Sequence, residues 1–182
     1  LEAHRKEIES EILQIAEPFS AVLDLLYTLP GFDKNPMTAI AILSEIGPDM
    51  SVFPSSKHLV SWAGCCPRND QSNQKVKSRR ISRAGSYLKP LLVQVANALI
   101  KSKKHPEFKE RYHRIKSRRG HKKAIIAVCK MLLTAIWNML SKLEPYNPEG
   151  FLEHRPVKQE KTLTVSQALE LLRLRGYTIT NQ

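Results

Sequence analysis

Ser72 stands at the head of a row of cations. Lys75, Lys77, Arg79, Arg80 and Arg83 follow it, and no acid occurs from residue 71 to residue 85. Attack on a phosphodiester needs a hydroxyl oxygen held in line with the leaving oxygen, an acceptor for its proton, and positive charge on the non-bridging oxygens as they gain charge. Ser72 and its neighbours supply the first and the third. Asp70 is the nearest carboxylate in the sequence, but it would meet the phosphate as a like charge, so the proton acceptor is expected elsewhere. The residues alone leave two readings open: a nucleophile, or a linker hydroxyl in a positively charged loop.

That row belongs to a larger block. Residues 75 to 123 hold 17 of the 29 Lys and Arg against only Glu107 and Glu110, a net of +15; the other 12 bases face 15 acids, a net of −3. A face that merely keeps a protein in solution mixes signs, whereas a block this one-sided builds the field that neutralises phosphates and releases counterions. Nucleic acid is the expected partner, with an anionic membrane surface as the lesser alternative. Arg114, Arg118, Arg119, Lys122 and Lys123 gather about Gly120 and are candidate backbone contacts. Cations at a helix start oppose its dipole by roughly 0.3 kcal/mol, which points to an anion there; a solvated turn is the rival reading. Tyr112 and His113, one turn earlier, are assigned to packing.

The elements that must position these residues read as helices. Residues 1 to 27 form an amphipathic segment, with Ile8, Ile12, Ile15, Phe19, Val22 and Leu26 three or four apart and a kink expected at Pro18. A chain that opens directly in a helix is expected to have lost an upstream part. Residues 26 to 47 resemble a helix-hairpin-helix, with Gly31 in the turn and Ala39 where two helices pack closely; Asp33 stands at the usual second glycine, and a plain helical hairpin is the alternative. Residues 54 to 64 give a serine-capped short helix with Leu59, Val60 and Trp62 as core candidates, closed by Gly64. From Cys65 to Arg83 there is no apolar periodicity, and a polar loop of that length inside a domain is usually functional or disordered. Helices are then expected over 86–103, before Gly120, over 121–143 as the central packing element, and over 164–176. Three prolines between residues 144 and 161 mark an extended connector.

The bulk numbers bound the answer. A chain of 182 residues suits one main domain with appendages, and 42% apolar with 25% charged residues excludes disorder throughout. No uninterrupted apolar run reaches membrane-spanning length, and the N-terminus lacks signal-peptide character, so a soluble cytoplasmic protein is expected. Cys65, Cys66 and Cys129 form no CxxC pair and are expected as free thiols, and the six histidines show no ligand spacing, so no metal site is expected in this chain.

Three stretches together carry a resemblance: "AILSEIGPDMSVFPSSKHLVSWAGCCP" at 41–67, the Ser72 strip with "SYLK" after it, and "YHRIKSRRGHKKAIIAVCKMLL" at 112–133. In order and spacing they look like the C-terminal domain of the insertion sequence 110 (116, 902) family of transposases, whose relatives include the Piv-type invertases. The resemblance implies an all-α domain at 28–143, a coiled-coil linker helix at 1–27, and a connector with a short terminal helix at 144–182. It implies that Ser72 is the strand-cleaving nucleophile, forming a phosphoserine link, and that Lys75, Lys77, Arg80 and Arg83 are the basic positions after it. The family's glycine after the serine is replaced by Asn73 and Gln74, and its Leu-Arg pair appears as Leu88 and Lys89. It further implies an N-terminal acidic domain, not in this chain, that holds Mg²⁺, and a guide RNA encoded by the element. A metal-bound hydroxide or a carboxylate of that domain is expected to take the serine proton, and, since strand exchange needs paired subunits, a homo-oligomer is expected with the leading helix as dimer seam. The fragment alone is then expected to bind DNA without cutting it. A non-catalytic DNA- or RNA-binding module is the alternative.

Overall fold

Pro18 lacks an amide hydrogen and its ring clashes with the preceding turn; the leading segment breaks there. Helix α1 spans Glu2–Ala16, a 3₁₀ turn covers Glu17–Phe19, and α2 spans Ser20–Tyr27. The computed structural model describes residues 2–66, 70–72, 75–78, 86–149 and 165–175. The chain divides into two compact units, Leu1–Pro148 and Glu149–Gln182. After α2 the first unit contains α3 (Pro36–Ile46), a 3₁₀ turn (Met50–Val52), α4 (Ser56–Trp62), strands β1 (Asp70–Ser72) and β2 (Lys75–Ser78), α5 (Leu88–Leu99), α6 (Pro106–Arg119) and α7 (His121–Lys142). The fold is all-α, with the two short strands as a ribbon set into it. In the second unit, α8 (Val165–Leu174) exposes Leu169, Leu171, Leu172 and Leu174.

α7 organises the first unit. Ala124, Ile125, Val128, Cys129, Leu132, Leu133, Ala135, Ile136, Met139 and Leu140 are all buried, a stripe wide enough to receive α2, α4, α5 and α6 at once. By length and composition this helix could cross a membrane, but here its apolar surface is spent on the core. The expected core residues Leu59 and Val60 are buried, and of the apolar face read along α5, Leu88, Leu92, Val95, Ala96 and Leu99 are buried while Leu91 and Ile100 are half-buried. Trp62 departs from expectation. It is 49% exposed, with one edge tilted onto Phe53 at 5.6 Å, at the last residue of α4. The indole that is held tightly is Trp137, whose Nε1 donates to the Phe53 carbonyl at 3.0 Å.

The leading stripe is also only partly used. Leu23 and Leu26 are buried, but Ile8, Ile15 and Phe19 stay exposed, and Ala16 is the one buried residue of α1. Ser55 occupies the expected cap position of α4, yet its hydroxyl is 2.9 Å from His58 Nδ1, and no side-chain cap bond is made. α7 ends on Leu143 in the left-handed conformation, φ +56°, with its side chain 69% exposed. A side chain there crowds its own carbonyl. Leu143→Gly is therefore expected to stabilise the chain by about 0.5–1 kcal/mol, read as a raised denaturant midpoint at unchanged slope.

Beyond α7 the chain is tied back. The Tyr146 amide donates to Thr28 Oγ1 at 2.9 Å, its hydroxyl donates to Glu107 Oε1 at 3.1 Å, and its ring stacks on Phe108 at 6.3 Å. Burial, then the Glu107 charge, pushes the Tyr146 hydroxyl well above its ordinary range, so the strap holds its proton at any physiological pH.

Candidate nucleic-acid interface

The segment expected as a featureless polar loop contains regular structure. β1 and β2 pair antiparallel in the register Asp70↔Ser78, Gln71↔Val76 and Ser72↔Lys75, with an irregularity between Asp70 and Gln71. Ser72 therefore closes β1 directly opposite Lys75, across a two-residue connection, and Lys77 follows two positions along β2. A hairpin ladder is made by backbone groups, so it needs no alternating apolar side chains, and the sequence carried none. Arg79, Arg80 and Arg83 lie outside the described residues, as do Asn73 and Gln74.

The root of this excursion is fixed. The chain leaves α4 through Gly64, φ +67°, and returns at α5, where half-buried Lys89 sends Nζ to the Gly64 carbonyl at 3.2 Å. Lys89, expected among the phosphate contacts, thus braces both ends of the ribbon segment and satisfies a carbonyl at the end of α4. Cys65 sits at the same root. Burial raises its thiol pKa despite Lys89, and burial pushes Cys129 up to about 12. Both stay protonated at neutral pH, which leaves them inert as nucleophiles. All three cysteines are free.

The second basic element is the corner between α6 and α7. Phe108 and Tyr112, one turn apart, are the buried residues of α6, and its other faces carry charge into solvent. Arg114, Arg118, Arg119, Lys122 and Lys123 are all exposed. The salt bridges among the described residues, His4–Glu7, Arg5–Glu9 and His105–Glu107, do not include them. Partial burial first, and then the charge of Arg114, lower the pKa of Arg111. Gly120, φ +81°, ends α6 and starts α7 in one residue, and the first turn of α7 has no side-chain cap. Lys116 Nζ lies 5.4 Å over the Tyr112 ring. Tyr112 packs as expected, but its hydroxyl also lies 2.7 Å from His121 Nδ1. Sequence reading passed over His121; its only signal was a position beside the glycine, among cations.

In the α2–α3 hairpin the turn residues Leu29 and Phe32 are fully buried, and so is Ala39 on α3. Gly31 has φ +89°, and a Cβ there would lie 2.8 Å from Val95 Cγ1 and 3.4 Å from Leu99 Cγ. Its bare face is turned to α5, so the glycine serves packing. Asn35 caps α3 by accepting from the Met37 amide at 3.0 Å. Among the described residues no three His, Cys, Asp or Glu come together as metal ligands.

Residues 23–113 match the Transposase IS116/IS110/IS902 family. The chain belongs to this family. It is 30% identical over 125 residues to the pilin gene-inverting protein of Moraxella bovis, covering 68% of this chain and 38% of that protein, and 29% identical over 125 residues to its counterpart in Moraxella lacunata, with the same coverage. To the transposase for insertion sequence element IS1111A of Coxiella burnetii it is 29% identical over 113 residues, covering 60% of this chain and 31% of that protein. The chain thus spans under two fifths of the length of these curated relatives. No solved structure matches it. The family match takes in the ribbon, its Lys89 brace and the first half of α6.

Proposed function

We propose that this chain is the DNA-binding and serine-nucleophile part of a DNA transposase or recombinase, directed to its target by an RNA that the element encodes. The observation that carries the reading is the place of Ser72. It terminates β1 opposite Lys75 within the basic block, inside the family match. In the proposed step the Ser72 Oγ attacks a backbone phosphorus, the Oγ–P bond forms as one P–O bond to the DNA breaks, and the departing oxygen leaves with the strand end. The bond energy is kept in the phosphoserine, so a strand can later be rejoined by the reverse attack. Lys75, Lys77, Arg79, Arg80 and Arg83 neutralise the non-bridging oxygens. The acceptor of the serine proton and the Mg²⁺ are assigned to the acidic domain of the complete protein. Strand exchange needs paired subunits, and exposed Ile15 and Phe19 support a seam along α1. They border an open apolar groove of about 800 Å³ walled also by Ile12, Met37 and Ile40.

The test is whether a covalent protein–DNA adduct can be trapped on a nicked substrate, and whether it depends on the Ser72 hydroxyl. Binding itself is read from salt. Each phosphate neutralised adds about 0.9 to the slope of log K against log salt. Replacing Arg118, Arg119, Lys122 and Lys123 together by Gln is expected to reduce that slope by up to about 3.6 while leaving the fold intact. An unchanged slope would remove the corner from the interface. The alternative, a docking module without chemistry, predicts the same salt dependence and no adduct.

A further inference from the structure

His121 is exposed, while the Tyr112 hydroxyl bound to its Nδ1 comes from a side chain only 5% exposed. A buried phenol needs a partner, and here that partner is a surface imidazole. The ring is thereby fixed: Tyr112 holds Nδ1 at 2.7 Å and stands nearly perpendicular to His121, at 80°. Tyr112 is itself confined, with His113 against its edge at 5.2 Å and Lys116 over its face.

The bond decides where the imidazole proton sits. A phenol is a strong donor and a poor acceptor, and an imidazole nitrogen is a good acceptor. In the neutral ring Tyr112 donates to Nδ1, so the ring proton is on Nε2. In the charged ring both nitrogens carry protons. Either way Nε2 presents N–H, and Nε2 has no partner among the described residues. Exposed Arg118, Arg119, Lys122 and Lys123 flank His121 in the sequence.

We infer that His121 Nε2–H is a directed hydrogen-bond donor to a DNA backbone phosphate, and that Tyr112 is its positioning residue. The surrounding cations attract the phosphate without fixing its angle; the held imidazole gives the corner one donor of set direction, hence a register for the strand. The inference rests on the DNA-binding reading above and deepens it. The ligand is the phosphodiester of duplex DNA.

The test is affinity of the 182-residue chain for a short duplex of arbitrary sequence, measured at several salt concentrations. His121→Ala is expected to weaken binding about tenfold, the effect of one charge-assisted hydrogen bond. His121→Gln, whose side-chain amide can place N–H near the Nε2 position, should restore most of it. Tyr112→Phe keeps the buried ring and removes only the hydroxyl; it should weaken binding about threefold and do nothing further in the His121→Ala background. Side-chain ¹⁵N shifts of His121 should show Nε2–H alone in the neutral wild-type ring and a mixture of tautomers in Tyr112→Phe. If wild type binds DNA with steep salt dependence but His121→Ala binds equally well, this inference is overturned and the DNA reading stands. If Tyr112→Phe costs the same in both backgrounds, the positioning role is overturned. If wild type shows no salt-dependent binding at all, the broader reading fails with it.

Discussion

Ser72→Ala, made in a full-length protein that also carries the acidic domain, is expected to reduce strand exchange by about three orders of magnitude or more and to eliminate the trapped adduct, with duplex affinity nearly unchanged. The reason lies in the division of labour along the ribbon. On the proposed reading the cations would hold phosphate with or without the hydroxyl, whereas no other oxygen would replace the nucleophile removed from the end of β1. Cys65, at the root of the same segment, cannot substitute, because burial keeps its thiol protonated. Recombination that survives the substitution would sink the nucleophile assignment and leave the docking module.

Gly31→Ala carries the second large effect, this time on stability. Two costs add. A side chain at φ +89° enters the left-handed region, roughly 1 kcal/mol, and its Cβ would meet Val95 Cγ1 at 2.8 Å, an overpacking cost of roughly 2 kcal/mol. Val95 is β-branched and itself buried, so it has little room to turn aside. The control is the Val95→Ala background, which removes the Cγ1 that the added Cβ would meet; Gly31→Ala there should show mainly the backbone cost. Denaturant unfolding should therefore give losses from Gly31→Ala in the two backgrounds that differ by about 2 kcal/mol. Equal losses would mean that α5 yields to the methyl group and that the turn is not packed as described.

Much of this architecture is legible in the residues because local chemistry and tertiary packing agree. Pro18 breaks the leading segment, and Gly47, Gly64 and Gly120 end helices with positive φ. The apolar stripe from Ala124 to Leu140 becomes the core element that its width demands. What escaped the sequence is what depends on partners far along the chain or on backbone alone. The ribbon has no side-chain signature. Trp62 and Ile15 have core character but face open space, because an apolar residue is buried only where another element arrives to cover it. The Tyr146 strap joins residues 118 apart, and the Tyr112–His121 bond crosses a helix break, so helical periodicity could not announce either. The site itself was half visible: charge located the two basic elements, and neither the bracing role of Lys89 nor the held imidazole was readable from composition.

The Lys89–Gly64 clasp has an evolutionary corollary. Because the excursion that bears Ser72 departs and returns within the reach of one lysine, its span is thermodynamically almost free to change: doubling such an insertion costs only about 0.6 kcal/mol. The arm can therefore be lengthened, shortened or recoded while the helical body beneath keeps its packing.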